Sequence, residues 1–71
     1  MVGESYKLTR PTLAIMILPD GKSIPIDLPQ GTVVKVIADP VDGTRFIDVE
    51  RSGQIVRMFA VDLKERGIPL V

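Results

Sequence analysis

The chain has 71 residues, with nine Lys and Arg against nine Asp and Glu, and it contains no Cys, His or Trp. These absences exclude a disulfide framework, a catalytic cysteine and the usual Cys and His zinc sites, and they remove the commonest general base near neutral pH. Zero net charge gives no overall attraction to nucleic acid or to an anionic membrane. What remains is one small domain that needs a dense core or a partner, because it has no covalent or metal staple.

Residues 1–11 are polar without a period and predict an N-terminal tail, so that residues 12–71 form a single domain. Pro and Gly then interrupt the chain at short intervals, and the runs between them are rich in Val, Ile and Thr. Short runs of this kind with frequent turn signals are typical of an all-β barrel or sandwich. The predicted strands are Thr12–Leu18, Ser23–Leu28, Thr32–Ala38, Arg45–Arg51, Gln54–Val61 and Ile68–Val71.

The first hairpin turns at Pro19-Asp20-Gly21, a three-residue loop with Gly at the left-handed position. This loop predicts that Met16 faces Ile24 and that Ala14 faces Ile26, which gives an aliphatic core face. Leu13, Ile15 and Ile17 lie on the other face of the first strand. A strand that is apolar on both sides is usually covered on both sides.

The second hairpin turns at Ser52-Gly53, a plausible two-residue turn. Counting back from it places Phe46 opposite Phe59 and Asp48 opposite Arg57 on one face. The other face carries Ile47, Val49, Val56 and Met58 and is predicted to belong to the core.

A helical turn is predicted after the fifth strand. Asp62 is placed to cap it with Glu65 reaching back, and Gly67 is placed to end it in a left-handed conformation. The segment is too short for a longer helix, and Ile68–Val71 follows as a final edge strand.

Neither acidic pair in the sequence makes a convincing catalytic or metal site. Asp39 and Asp42 lie in a loop with Pro and Gly, where turn chemistry is the simpler interpretation, and two carboxylates do not supply the six or more oxygens that calcium takes. Asp48 shares a strand face with Glu50, but its position opposite Arg57 favours a cross-strand ion pair. We therefore expect no enzyme activity, no cofactor and no bound metal.

The pattern of residues 23–71 resembles the SH3-like small barrels. The segments that carry the resemblance are Gly31–Ile37, Phe46–Glu50, the turn at Ser52-Gly53, Val56–Phe59 and the helical turn at Val61–Leu63. The resemblance implies a five- to six-stranded SH3-like barrel with a short helical turn before the last strand. The acidic loop and the Trp of proline-peptide-binding SH3 domains are absent.

The candidate binding residues are Phe46, Asp48, Arg57 and Phe59. They favour a small non-enzymatic interaction module that binds another protein. One alternative is a small nucleic-acid-binding barrel, in which the two Phe rings stack on bases and Arg45, Arg51 and Arg57 contact phosphate. Another is an accessory subunit of a larger assembly.

Leu13, Ile15 and Ile17 are candidates for self-association. Closure of the barrel by Ile68, Leu70 and Val71 across the first strand is the favoured way to cover them, and this predicts a monomer. A homodimer is the alternative. The longest apolar run, Leu13–Leu18, is far shorter than the roughly 20 residues of a membrane span. Without a signal peptide or Cys, a cytoplasmic location is expected.

Overall fold

The computed structural model describes residues 2–38 and 45–70. The predicted loop at Asp39–Gly43 lies outside these residues, as does Val71. The described residues form seven strands and one short helix, which confirms the mostly β class. In chain order the elements are β1 (Ser5–Leu8), β2 (Thr12–Ile17), β3 (Ser23–Leu28), β4 (Val33–Ala38), β5 (Phe46–Arg51), β6 (Gln54–Phe59), α1 (Ala60–Arg66) and β7 (Gly67–Leu70).

The strands form one antiparallel sheet in the order β3-β2-β6-β5-β4-β1-β7. β3 and β7 are at its two ends, so the hydrogen-bonded sheet is open. Because the described residues form seven strands, the predicted count of five or six is too low.

Both predicted hairpins are confirmed in register. In the first, Met16 pairs with Ile24 and Ala14 with Ile26. In the second, each pair from Phe46 and Phe59 at one end to Arg51 and Gln54 at the turn is as predicted. Ser52 and Gly53 both have positive φ, at 50° and 81°, which is the conformation that a two-residue turn needs between twisted strands.

The prediction of a polar N-terminal tail over residues 1–11, outside the domain, is wrong, because β1 lies within it. β1 pairs with β4 on one side and with β7 on the other. Tyr6 and Leu8 alternate with polar residues and are buried, and the Tyr6 hydroxyl donates a hydrogen bond to Glu4 Oε2 at 3.0 Å. A four-residue strand with two apolar side chains is too short for its period to stand out in the sequence.

Helix α1 begins earlier than predicted, at Ala60, and has seven residues. Asp62 lies in its first turn, where a carboxylate complements the helix dipole, but no side chain caps the helix. Leu63 is fully buried and anchors the helix to the core.

Gly67 does not take the predicted left-handed conformation. Its φ of −100° and ψ of 141° are extended, and its N–H donates to the carbonyl oxygen of Leu63. The chain thus passes directly from α1 into β7, and a residue in the left-handed region would have turned it away.

The predicted closure of Ile68 and Leu70 over the first long strand is also wrong. β7 pairs with β1, so that Leu70 lies opposite Ser5 and Ile68 opposite Lys7. β1 offers β7 a free backbone edge, and this pairing leaves β2 without the cover that closure would have supplied.

The core is mainly aliphatic, as the sequence predicts. Ile47, Val49, Val56 and Met58 are all buried, as expected for one face of the second hairpin. Met16 and Ile26 pack against this core, whereas Ile24, near the turn of the first hairpin, is exposed. The other buried core residues are Tyr6, Leu8, Ala14, Leu28, Val34, Val36 and Leu63.

Candidate functional site

The side of the sheet that faces away from the core carries the candidate site. β2, β6 and β5 are neighbours in the sheet, and alternate residues on each point outward because successive side chains in a strand lie on opposite faces. We call these residues the outer face. They are Leu13, Ile15 and Ile17 on β2, Ile55, Arg57 and Phe59 on β6, and Phe46, Asp48 and Glu50 on β5.

Phe46 and Phe59 form a stacked aromatic pair at one end of this face. They are directly opposite in the β5–β6 register, with ring centroids 4.9 Å apart and an angle of 29° between the ring planes. Their residues remain 36% and 37% exposed. Each ring therefore packs against the other and also presents surface to solvent, so the two rings are not a second core.

Asp48 and Arg57 form the predicted ion pair in the next row. Arg57 Nε donates to Asp48 Oδ1 at 2.8 Å, and Arg57 Nη2 donates to Asp48 Oδ2 at 3.3 Å. The hydrogen bonds and charge of Asp48 raise the pKa of Arg57. With side-chain exposures of 43% for Arg57 and 28% for Asp48, solvent screens the pair, and its contribution to stability is about 0.2–1 kcal/mol.

Strand β2 adds an aliphatic strip beside the ion pair. Ile15 is opposite Arg57 in the β2–β6 register. Leu13 and Ile17, two residues to either side, are 50% and 44% exposed. The strip therefore continues the apolar surface that the two Phe rings begin.

Two shallow grooves mark the outer face. One, of about 280 Å³, is lined by Ile15, Ile17, Phe46 and Arg57, together with Gly21 and Ser23 from the first hairpin. Beyond the aromatic pair lies a second groove of about 520 Å³, which is lined by Arg45, Phe59, Ala60 and Val61. The structure thus brings both predicted groups of candidate residues, the aromatic and ionic group and the β2 strip, onto one continuous surface.

Both edges of the sheet are blocked by proline. Pro25 lies opposite Ile15 in β3, and Pro69 lies opposite Tyr6 in β7. In an antiparallel ladder, hydrogen-bonded and non-hydrogen-bonded residue pairs alternate. The bond from Leu18 N–H to Lys22 O fixes this alternation for β2 and β3, and the bond from Thr9 N–H to Arg66 O fixes it for β1 and β7. They make each Pro part of a non-hydrogen-bonded pair, with its nitrogen toward the free edge.

A proline nitrogen cannot donate a hydrogen bond, so neither edge offers a full ladder to an added strand. The described sheet therefore presents its outer face to a partner more readily than its edges.

Ile55 and Val61 are two further exposed apolar residues that are not among the candidates predicted from the sequence. Ile55 extends the outer face on β6, and Val61 lines the groove beside Phe59. The signal for Ile55 was available, because it alternates with Val56 and Met58 and shares the face of Arg57. Val61 is both the last residue of the predicted strand and the first of the predicted helical turn, and the structure places it in the first turn of α1.

Among residues 2–38 and 45–70 there is no cluster of three or more acidic side chains arranged to hold a metal ion. Asp48 is held by Arg57, and Glu50 lies opposite Lys35 and Ile55 in its two ladders. No helix within the same residues is long and apolar enough to cross a membrane.

Comparison with protein-family models, with curated proteins and with solved structures found no match to this chain. Its interpretation therefore rests on the geometry of the outer face.

Proposed function

We propose that this chain is a small non-enzymatic interaction module that binds a protein through its outer face. The single observation that carries the proposal is the continuous surface on which a stacked, solvent-facing Phe46–Phe59 pair lies beside the Arg57–Asp48 ion pair and the exposed β2 strip. Monomers rarely expose contiguous apolar patches larger than a few hundred Å², and such patches mark interaction sites.

The composition of this surface is that of a protein interface. Aromatic residues and Arg are enriched at the centre of interfaces, whereas Lys is depleted there. The outer face has two Phe, one Arg and no Lys on β2, β5 and β6. Of its two acidic residues, Asp48 is paired with Arg57 and Glu50 lies at the rim, opposite Lys35. A cytoplasmic location, expected from the lack of Cys, stays a prediction.

We also propose that the fold is an SH3-like small barrel. The short helix α1 precedes the last strand, as in members of that superfamily, and β7 returns to pair with the N-terminal strand β1. β4, β5 and β6 follow one another as a meander. An experimental structure in which β3 and β7 are far apart on a flat sheet would contradict this assignment.

The nucleic-acid alternative has weaker support on this face. A single-strand binder uses aromatic rings as platforms for bases and free cations for phosphate. Here the two rings stack on each other, and Arg57 already holds Asp48. A titration with single-stranded oligonucleotides at rising salt separates the alternatives, since phosphate contacts lose affinity steeply with salt.

The proposal is tested by the double variant Phe46→Ala with Phe59→Ala, immobilised and used to capture protein from an extract of the native host. A matched control is Val33→Ala with Ile68→Ala, because these two residues are exposed and apolar but lie on β4 and β7. We expect the wild type and the control to capture the same proteins. The aromatic double variant should lose them, since truncating interface aromatics weakens binding by about thirtyfold.

Thermal melting by circular dichroism accompanies the capture experiment. The proposal requires that the aromatic double variant stays folded at the temperature of the assay. A double variant that unfolds would show that the Phe pair is structural, and one that still captures the same proteins would show that the binding surface lies elsewhere.

A further inference from the structure

We propose that the partner of the outer face is a second copy of this chain, packed face to face about a two-fold axis. This inference rests on the proposed function and names its partner. An isologous interface uses the same patch on both subunits, so the patch must be complementary to itself. The outer face meets that requirement in its arrangement of charges and in its apolar content, and no element among residues 2–38 and 45–70 covers it.

Charge is the first argument for a second copy. The centre of the outer face holds one cation and one anion, Arg57 and Asp48, side by side. Glu50 adds a second carboxylate at the rim of the face, where it lies opposite Lys35 of β4. A two-fold axis can lie between the two faces and run at right angles to the line from Arg57 to Asp48. It then places Arg57 of one chain over Asp48 of the other. A face with a single sign of charge at its centre would repel its own copy.

Apolar surface is the second argument. Leu13 and Ile17 stay about half exposed, because β7 is paired with β1 at the far end of the sheet and does not reach β2. The ion pair is thus flanked by the β2 strip on one side and by the Phe pair on the other. Packing two copies together removes these side chains from water, and no additional strand or helix is needed to cover them.

The edges of the sheet determine the kind of assembly. Edge-to-edge pairing would allow strands to add without limit, but Pro25 and Pro69 leave a gap in the donor row of each edge. When two sheets pack face to face, the outer face of each chain is fully used. No further copy can then be added through the same surface. A closed dimer is therefore expected, and no fibre.

The size of the face sets the strength of the dimer. Strands β2, β6 and β5 have six residues each, so the face measures about 20 Å along the strands and about 15 Å across them. Two such faces together cover about 600 Å², which is below the roughly 1,200 Å² at which standard specific interfaces begin and is typical of weak, transient contacts. We expect the dimer to be weak, with the equilibrium shifting between micromolar and near-millimolar concentration.

Sedimentation of the wild type across that concentration range is the first test. The chain has a mass of 7.8 kDa, and we expect the average mass to rise toward twice that value. Ile17→Asp should abolish the rise, whereas Ile68→Asp should leave it intact. Ile68 is equally exposed and aliphatic but lies on β7, opposite Lys7.

A charge exchange is the second test, and it identifies the partner. Asp48→Arg and Arg57→Asp, each alone, place two like charges at the centre of the face. Each should weaken its own dimer by more than about a hundredfold, because like charges are forced together across the interface. An equimolar mixture of the two variants brings opposite charges together and should restore association.

These outcomes separate this inference from the proposed function. A constant 7.8 kDa mass, or a mixture of the charge variants that stays monomeric while each variant remains folded, overturns the second copy as partner. If the aromatic double variant still fails to capture host proteins that the wild type captures, the face remains a binding site for another protein. If the wild type neither self-associates nor captures any protein, both proposals fail.

Discussion

Gly67 joins helix α1 to strand β7 at a point where no side chain fits. A Cβ at this position would lie 2.5 Å from the carbonyl oxygen of Leu63 and 3.3 Å from Cβ of Tyr6. The glycine is therefore required by close approach of the backbone, and its φ of −100° needs no left-handed freedom.

We expect Gly67→Ala to destabilise the protein by about 1–3 kcal/mol, because the added methyl overpacks against a fixed carbonyl oxygen. Lys64→Ala is the control, since Lys64 is an exposed residue of the same helix. Urea unfolding measures both variants. If Gly67→Ala were as stable as the wild type, β7 would have to shift freely relative to α1 to accommodate the added methyl group.

Phe46 and Phe59 illustrate what residue-level reasoning predicts and what it cannot. The Ser52-Gly53 turn fixed their pairing by counting alone, and the same count placed Asp48 beside Arg57. Whether the two rings were buried was open, because exposure depends on how the sheet curves and on what else packs there. The exposure of the two rings depends on the order of the strands in the sheet, which the sequence of one hairpin does not determine.

Strand β1 shows why a short element escapes a pattern search. Its four residues supply only two buried side chains, Tyr6 and Leu8, and hydrophobic periodicity needs a longer run to be recognised. The signal that matters is tertiary: β1 completes two ladders, to β4 and to β7. The first residues of the chain are therefore part of the domain.

Leu8→Ala tests this role of β1. Leu8 is fully buried, so its truncation should cost about 2–5 kcal/mol of unfolding free energy. Lys7→Ala, at an exposed position of the same strand, should change stability by less than about 0.5 kcal/mol. Chemical denaturation measures both. If both variants changed the unfolding free energy by the same small amount, residues 1–11 would be a tail that does not contribute to the domain.

The proline residues of β3 and β7 act at the scale of the sheet edge. Replacing both, as Pro25→Thr with Pro69→Thr, gives each free edge a further backbone donor and a residue that favours strands. We expect faster aggregation on storage at high concentration, followed by light scattering.

The control for this edge prediction is Pro29→Thr, which changes a proline that follows β3 and lies outside the strands. It should aggregate no faster than the wild type. If the double variant stays as clear as this control, the prolines do not protect the edges.

At the scale of the whole molecule, the two long hairpins were predictable because turn chemistry and alternation act within about fifteen residues. The order of the strands was not, since it depends on contacts between distant segments. The C-terminal segment illustrates the difference. The sequence predicts its strand but places it across the strand of Ile15, whereas the structure pairs it with β1.

That single difference in pairing determines the candidate site. With β7 on β1, the aliphatic strip of β2 stays uncovered and becomes continuous with the Phe46–Phe59 pair through Arg57. The outer face is thus a product of the topology. Each of its residues has an ordinary role in a strand, and only their assembly makes the surface that we propose binds protein.

The most direct test of the central claim, that the outer face binds protein, is an amide NMR spectrum of the labelled chain recorded at increasing total concentration. We predict that shift changes concentrate in β2, β5 and β6, around Ile15, Asp48 and Arg57, while β1 and β7 stay constant and serve as an internal reference. Changes confined to β1 and β7, or a spectrum of the outer face that is unchanged both at near-millimolar concentration and in the presence of captured host protein, would contradict the account.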